Sequence, residues 1–393
     1  MGLVYTSRVR GLLTVNAGSS SLKYALFEAP GLRRLRDGKV ERIGQSGGPA
    51  DHAACVPQLL DAVGDATLAA IGHRIVHGGE RFTAPVRVDA GVIAALRELA
   101  PFAPEHEPAE IALIEALAAR CAGVAQVACF DTAFHAALPR PATLLPIPLR
   151  YAARGVRRYG FHGLSYQYLM SELARLEAAA DTDRAPPTPA EGQAETGRGR
   201  VLLAHLGSGC SLAAVRDGRC IDTTMGFTPA GGLVMGTRSG DLDPGLVAYL
   251  ARADGLDAAG FDHLVNAESG LLGLSETSAD VRDLLAREAD DTRAAEALAV
   301  FCRQAIKHAG ALTAMLGGLD TLVFAGGIGE HAAPIRARIA SGLKHLGVEL
   351  DMARNANHAP VISTDNSRVT VRVIPTDEEL QIARETAVQC ELA

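Results

Sequence analysis

Val201-Leu202-Leu203-Ala204-His205-Leu206-Gly207-Ser208-Gly209-Cys210-Ser211-Leu212-Ala213-Ala214-Val215-Arg216-Asp217-Gly218-Arg219 is the stretch whose reading decides the fold. An apolar run breaks at a turn of small residues, resumes, and folds back through Asp-Gly. That pattern is strand, tight turn, strand, hairpin. Gly207 and Gly209 carry no side chain to cover their backbone N–H groups, so the turn can wrap a phosphate. A close variant stands near the start: Leu12-Leu13-Thr14-Val15-Asn16-Ala17-Gly18-Ser19-Ser20-Ser21-Leu22-Lys23-Tyr24-Ala25-Leu26, with Asp37-Gly38 as its hairpin signal. Two copies of a phosphate-cradling hairpin predict an α/β chain of two like domains that face each other across a nucleotide.

The whole chain permits this. Its 393 residues suffice for two domains, each with a core. A net charge of −7 argues against a nucleic-acid binder, which would present a basic face. The seven cysteines are odd in number and lack Cys-x-x-Cys spacing, so neither a disulfide framework nor a structural zinc site is expected. A reducing cytoplasm is the natural compartment. Residues 1–10 lack the apolar segment of a signal peptide. The richest apolar run, Ile111 to Phe130, is broken by Glu115, Arg120 and Gln126, so no membrane span is expected.

Outward from the hairpins, several strand ends carry chemistry. Ala69 to Ile75 reads as a strand that delivers Arg74 before Gly78-Gly79. Asp89 caps a helix with Val92, Ile93 and Leu96 on one face, and Ile111, Ile114 and Leu117 mark a second. Val124 to Phe130 is a buried strand ending at Asp131, the end where open α/β sheets bind ligands. Gly155 to Ser165 is a loop rich in glycine and arginine carrying His162, with Ser165 as the cap of the next helix. Ala178 to Arg200 turns polar and low in complexity and reads as a flexible insertion. Glycine-dense Thr223 to Pro244 holds Arg238; such density is costly to fold and implies a ligand-side reason. Asp280-Val281-Arg282 opens a helix, and another runs from about Thr292 to Leu316. The strand Thr321 to Ala325 enters a glycine turn, Gly326-Gly327-Ile328-Gly329-Glu330-His331, whose spacing does not meet the dinucleotide fingerprint. The last strand ends at Pro375, and Thr376 with Glu379 makes a capping box for a final helix.

Taken singly, these residues have plainer readings as well. Asn16 fits a turn, Lys23 a solvated strand, and Glu378 and Asp280 the acid-favouring first turn of a helix. Arg282 fits a surface position, and His162 and His205 fit hydrogen-bonded loop histidines. Arg74 and Arg238 are harder to read that way, since a guanidinium in a glycine-rich strand end is suited to grip a carboxylate or phosphate.

Together the stretches Asn16–Lys23, Gly72–Glu80, Phe130–His135, Arg158–Gly163, His205–Gly209, Met225–Pro244, Ser278–Arg282, Gly326–Glu330 and Pro375–Arg384 resemble the acetate/propionate/butyrate kinase family of the actin-like ATPase superfamily. The resemblance covers nearly the full length, apart from the insertion. It implies two similar actin-like (ribonuclease H-like) domains with the active site in the cleft between them: residues 1–150 with about 376–393, and 151–375. It implies acetate kinase activity, the reversible transfer of the ATP γ-phosphoryl group to acetate, with Mg²⁺ or Mn²⁺ and a homodimer. Propionate or butyrate kinase is the neighbouring reading, and a nucleotide-gated binding protein the reading from another class. Carried over by position, Asn16 and Glu378 would hold the metal through its water. Lys23, His205, Leu206, Gly207, Ser208, Gly209, Asp280, Val281, Arg282, Gly327, Ile328, Gly329, Glu330 and His331 would bind nucleotide. Arg74 would hold the acetate carboxylate, Asp131 would be the active-site acid, and His162 and Arg238 would stabilise the transferring phosphoryl group.

The chain departs from the family pattern at Ser208 in place of asparagine, at His331 in place of asparagine, and at Leu164-Ser165-Tyr166 in place of Thr-Ser-His. Glu105 stands where an apolar residue usually lines the acetyl methyl pocket, which puts the acyl-chain preference, not the reaction type, in question.

Overall fold

The computed structural model describes residues 9–18, 20–104, 106–181 and 199–392. Glu105 and most of the stretch expected to be an insertion lie outside the described residues. The described part divides into two compact units, one drawn from Met1–Ala136, Gly163–Tyr168 and Asp377–Ala393, the other from Ala137–His162 and Leu169–Thr376.

The first unit holds a six-stranded sheet. Its strands are β1 (Arg10–Ala17), β2 (Ser21–Glu28), β3 (Arg34–Glu41), β4 (Thr67–Ile75), β5 (Val86–Arg87) and β6 (Ala125–Phe130), in the order β3-β2-β1-β4-β6-β5. The second holds β7 (Arg200–Leu206), β8 (Cys210–Arg216), β9 (Arg219–Thr223), β10 (Thr321–Ala325) and β11 (Thr370–Val373), in the order β11-β10-β7-β8-β9. In both, three strands form an antiparallel meander and two more join parallel to its first strand. The repeat read from the two hairpins is thus a repeat of whole sheets, β1 matching β7 and β4 matching β10.

Strands covered on both faces read as apolar runs, and edge strands do not. β10 is buried throughout, whereas the edge strand β3, Arg34-Leu35-Arg36-Asp37-Gly38-Lys39-Val40-Glu41, buries only Val40. The helix Glu378–Gln389 lies on β1 and β4, where Ala383 and Ala387 join Leu12, Ala25 and Phe27 in one cluster. In the second unit the helix Thr292–Leu316 packs on β8 and β9 and buries Ala294, Ala297, Leu298 and Phe301. Each leucine so buried stabilises its unit by roughly 1.5–3 kcal/mol.

Local expectations fail in four places. Asp217-Gly218 makes the second hairpin turn, with both residues at positive φ, but Asp37-Gly38 lies inside β3. Glycine is there because the Tyr24 ring of β2 lies across it; a Cβ would stand 2.4 Å from the Tyr24 oxygen. Ser165 does not cap its helix, which already begins at Gly163. The final helix is capped not by Thr376 but by Asp377, whose carboxylate accepts from Leu380 N at 2.9 Å and pairs with Arg34 at 2.5 and 2.6 Å. Gly326–His331, read as a glycine turn, is a short helix.

Candidate active site

In the first unit the C-terminal ends of parallel strands gather polar side chains. Asn16, the penultimate residue of β1, donates from Nδ2 to Glu378 at 2.8 Å and to Glu379 at 3.2 Å. Both acids sit in the first turn of the final helix, whose start is fixed by the Asp377–Arg34 pair. Burial, and next the Glu378 charge, raise the Glu379 carboxyl above its ordinary range. Two crowded carboxylates with a carboxamide are hard oxygen donors, and crowded like charge is what a divalent cation relieves. These residues fit a hard divalent cation that keeps several waters and takes one or two protein carboxylates. Lys23, opposite Asn16 in the β1–β2 register, is exposed, and its charge acts on Glu379.

Arg74, at the end of β4, donates from Nε at 3.0 Å and Nη2 at 2.6 Å to one oxygen of Asp131, and from Nη1 to the Ala17 carbonyl at 3.1 Å. Asp131 follows β6 and is 1% exposed. Burial opposes the Arg74 charge, but nearby acids, Asp131 first and Glu378 next, outweigh it and hold the guanidinium firmly protonated. Burial also pushes the Asp131 carboxyl up, with Arg74 pulling against it. The pair therefore fixes an arginine in place while leaving Asp131 poorly placed to take a proton through the oxygen already occupied.

In the second unit, the turn between β7 and β8 is tight, as its small residues predict, although the Gly207 N–H is taken up within the turn itself. Gly207 N bonds the Gly209 carbonyl at 3.0 Å, and Gly236 N bonds the Ser208 carbonyl at 3.1 Å. His162 lies at positive φ, stacks on His205 with centroids 4.2 Å apart, and joins the Ser211 hydroxyl through Nδ1 at 2.8 Å. Arg238 donates to the Pro229 carbonyl at 3.2 Å. A Cβ added at Gly209 would meet His162 Nε2 at 3.2 Å and Arg238 Nη1 at 3.5 Å. The turn, the histidine and the arginine thus converge.

Beside that turn lies a cavity of about 610 Å³. Its lining brings together Gly207, Ser208, Asp280, Val281, Arg282, Gly327, Ile328 and His331, which the resemblance assigned to nucleotide, and also Leu285 and Pro334, which it did not. A mostly apolar cavity of this size with a glycine turn at one side has room for a nucleotide. Asp280 caps the helix Val281–Arg287 and is bound by Arg282 at 2.6 Å. Leu206 is buried in β7, and Gly329 in the helical turn. Glu330 accepts from Gly326 N at 2.9 Å and Thr376 N at 3.1 Å. Arg336 is fully buried and donates to the Gly329 and Glu330 carbonyls at 2.8 Å, clamping that turn from behind. Nothing in its helical spacing marks it, because its partners lie on other elements.

Comparison with known proteins agrees in direction. The Acetokinase family matches over residues 46–384. The chain is similar to the acetate kinase of Arthrobacter sp. (strain FB24), 44% identical over 394 residues, covering 96% of this chain and 98% of that protein. It is 45% identical to the acetate kinase of Micrococcus luteus, covering 95% and 98%. Among solved structures it resembles the Porphyromonas gingivalis acetate kinase, with TM-score 0.84 and 35% identity over 97% of this chain and 99% of that one. It also resembles a propionate kinase from Francisella tularensis, with TM-score 0.87 and 34% identity over 96% and 99%.

Proposed function

The chain belongs to the acetokinase family, and from that premise we propose that it transfers the γ-phosphoryl group of ATP reversibly to acetate, giving acetyl phosphate and ADP. The observation that carries this reading is Arg74, a guanidinium held rigidly by Asp131 at a strand end, where a chaperone-like ATPase has no use for an anion receptor. Acetate at neutral pH is already a carboxylate, so its oxygen attacks phosphorus in line without a general base. Asp131 then serves as the orienter of Arg74. Arg74 takes the acetate carboxylate with two donors, and Arg238 and His162 offset charge on the equatorial oxygens as the phosphoryl group passes.

In this reading Gly207, Ser208 and Gly209 cradle phosphates, with Leu285, Ile328 and Pro334 against the base. His205, Leu206, Asp280, Val281, Arg282, Gly327, Gly329, Glu330 and His331 shape or line the same nucleotide site, and Lys23 adds charge on the metal side. Asn16 and Glu378 would hold Mg²⁺ through its water. The cation, when bound, neutralises charge on the nucleotide phosphates. Propionate is the second substrate to compare, because a propionate kinase is among the similar structures.

We place the protein in the cytoplasm as a homodimer. Every one of the seven cysteines is a free thiol, and no helix among the described residues is long and apolar enough to cross a membrane. Sedimentation velocity reads the mass and tests the homodimer.

The test is hydroxylamine trapping of the acyl phosphate formed from ATP, Mg²⁺ and each of acetate, propionate and butyrate. Acetyl hydroxamate formed fastest at limiting acid is the expected result. ATP hydrolysis that ignores the acid would overturn the reading.

A further inference from the structure

Behind Arg74 lies a pair of acids that the reaction as derived does not use. Glu110, in the first turn of the helix Glu107–Arg120, is 3% exposed. Its Oε2 accepts from the Val76 amide at 3.1 Å, two residues beyond Arg74, and its Oε1 has no hydrogen-bond partner among the described residues. Glu107, one turn earlier, is fully buried, and neither of its oxygens finds a partner among the described residues. The charged groups facing Glu110 are Arg74 at the end of β4, Asp131 beyond β6, and Glu107 on its own helix.

A buried carboxylate with an idle oxygen is poorly solvated, whereas a carboxylic acid in the same place loses far less. The charges point the same way. Arg74 is already engaged by Asp131, so a second anion beside it would be in excess. Burial first, and Asp131 after it, push the Glu110 carboxyl up to about 8 against the pull of Arg74 and the Val76 amide. Burial and then Glu110 raise Glu107 to about 9.

We propose that Glu110 is a positioning residue for acetate capture: it ties down the strand end that carries Arg74 and, by keeping its proton, leaves the guanidinium free to receive the substrate carboxylate. The inference rests on the reading in which Arg74 binds acetate. Its balance is simple. Above the pH at which Glu110 ionises, acetate binding draws one proton onto a Glu110 oxygen: the O–H bond of the carboxylic acid forms as the donor–H bond of a buffer acid or water breaks, leaving its conjugate base in solution.

The experiment measures acetate KM and kcat from pH 6 to 9.5 at saturating ATP and Mg²⁺, for the intact protein and for Glu110→Gln. The expected result is an acetate KM level near neutrality that rises about tenfold per unit above about pH 8, with kcat changing less than about twofold. Glu110→Gln flattens the rise. A merely structural role would shift KM equally at every pH, so an alkaline rise unchanged in Glu110→Gln overturns the proposal. Should that variant fail to fold, calorimetry of acetate binding to the unaltered protein at pH 8.5, in two buffers of different ionisation heat, reads proton uptake directly. About half a proton or more is expected, and none overturns it. Absence of acetyl hydroxamate at every pH is a separate outcome, which overturns the acetate reading and this inference with it.

Discussion

Arg74 and Arg238 are the same residue type in two different settings, and the settings predict different kinetic phenotypes. Arg74 is fixed by a buried carboxylate at a strand end, whereas Arg238 reaches the glycine turn from a loop and is held by a backbone carbonyl. Arg74→Ala should raise acetate KM about a hundredfold with a smaller loss of kcat. Arg238→Ala should lower kcat by about 10²–10³ while changing acetate KM little, and steady-state kinetics with acetate varied reads both. Gly209→Ala tests the convergence of His162 and Arg238. The added methyl meets the ends of two flexible side chains, so the fold should survive with Tm within about 2 °C. The His162 ring must yield a few tenths of an ångström while Arg238 Nη1 stays at ordinary contact distance, and kcat should fall about tenfold. The placement of Arg74 at a strand end was legible in the sequence, because an apolar run leading into Gly78-Gly79 marks where the strand stops. Glu107 and Glu110 were not, since acids at a helix start are ordinary there and only the packing shows them buried.

At the scale of elements, the final helix carries Glu378 and Glu379, and its start is held by one residue. Asp377 is both its N-cap and the partner of Arg34. Asp377→Ala should cost about 1–2 kcal/mol and lower Tm by about 2–5 °C, measured by calorimetry. It should also raise the Mg²⁺ concentration needed for half-maximal rate, because the Asn16–Glu378 contact depends on that helical turn. Existence and type of elements were well marked: Asp89 caps its helix as predicted, and Thr292–Leu316 has the predicted ends. The failures share a cause. Asp37-Gly38, Ser165 and Thr376 each carry a valid local signal, and in each case a neighbour from another segment decided the outcome, as the Tyr24 ring over Gly38 illustrates.

For the whole molecule, the buried acids set a slope of stability with pH. Glu107 and Glu110 have folded pKa values of about 9 and about 8, above the ordinary 4.5, so they are held as acids in the fold. The stability this confers is fully present below about pH 4.5 and is lost as pH rises through about 8 to 9. Urea midpoints should therefore decline between pH 6 and pH 9, and Glu107→Gln should reduce the decline; a midpoint that climbs across this range would contradict it. Two-sheet architecture was readable from the duplicated hairpin, because a meander followed by parallel strands leaves the same apolar rhythm twice. The placement of Leu285 and Pro334 on the cavity wall was not, since it needs three segments folded together.

The shared strand order gives Asn16 and His205 the same address, the last position but one of each sheet's central strand. From that address one half offers an amide to two acids, and the other an imidazole stacked on its neighbour. A doubled scaffold has thus been divided in labour by exchanging single side chains at matched sites. Swapping either residue for its counterpart would ask each half to do the other's work.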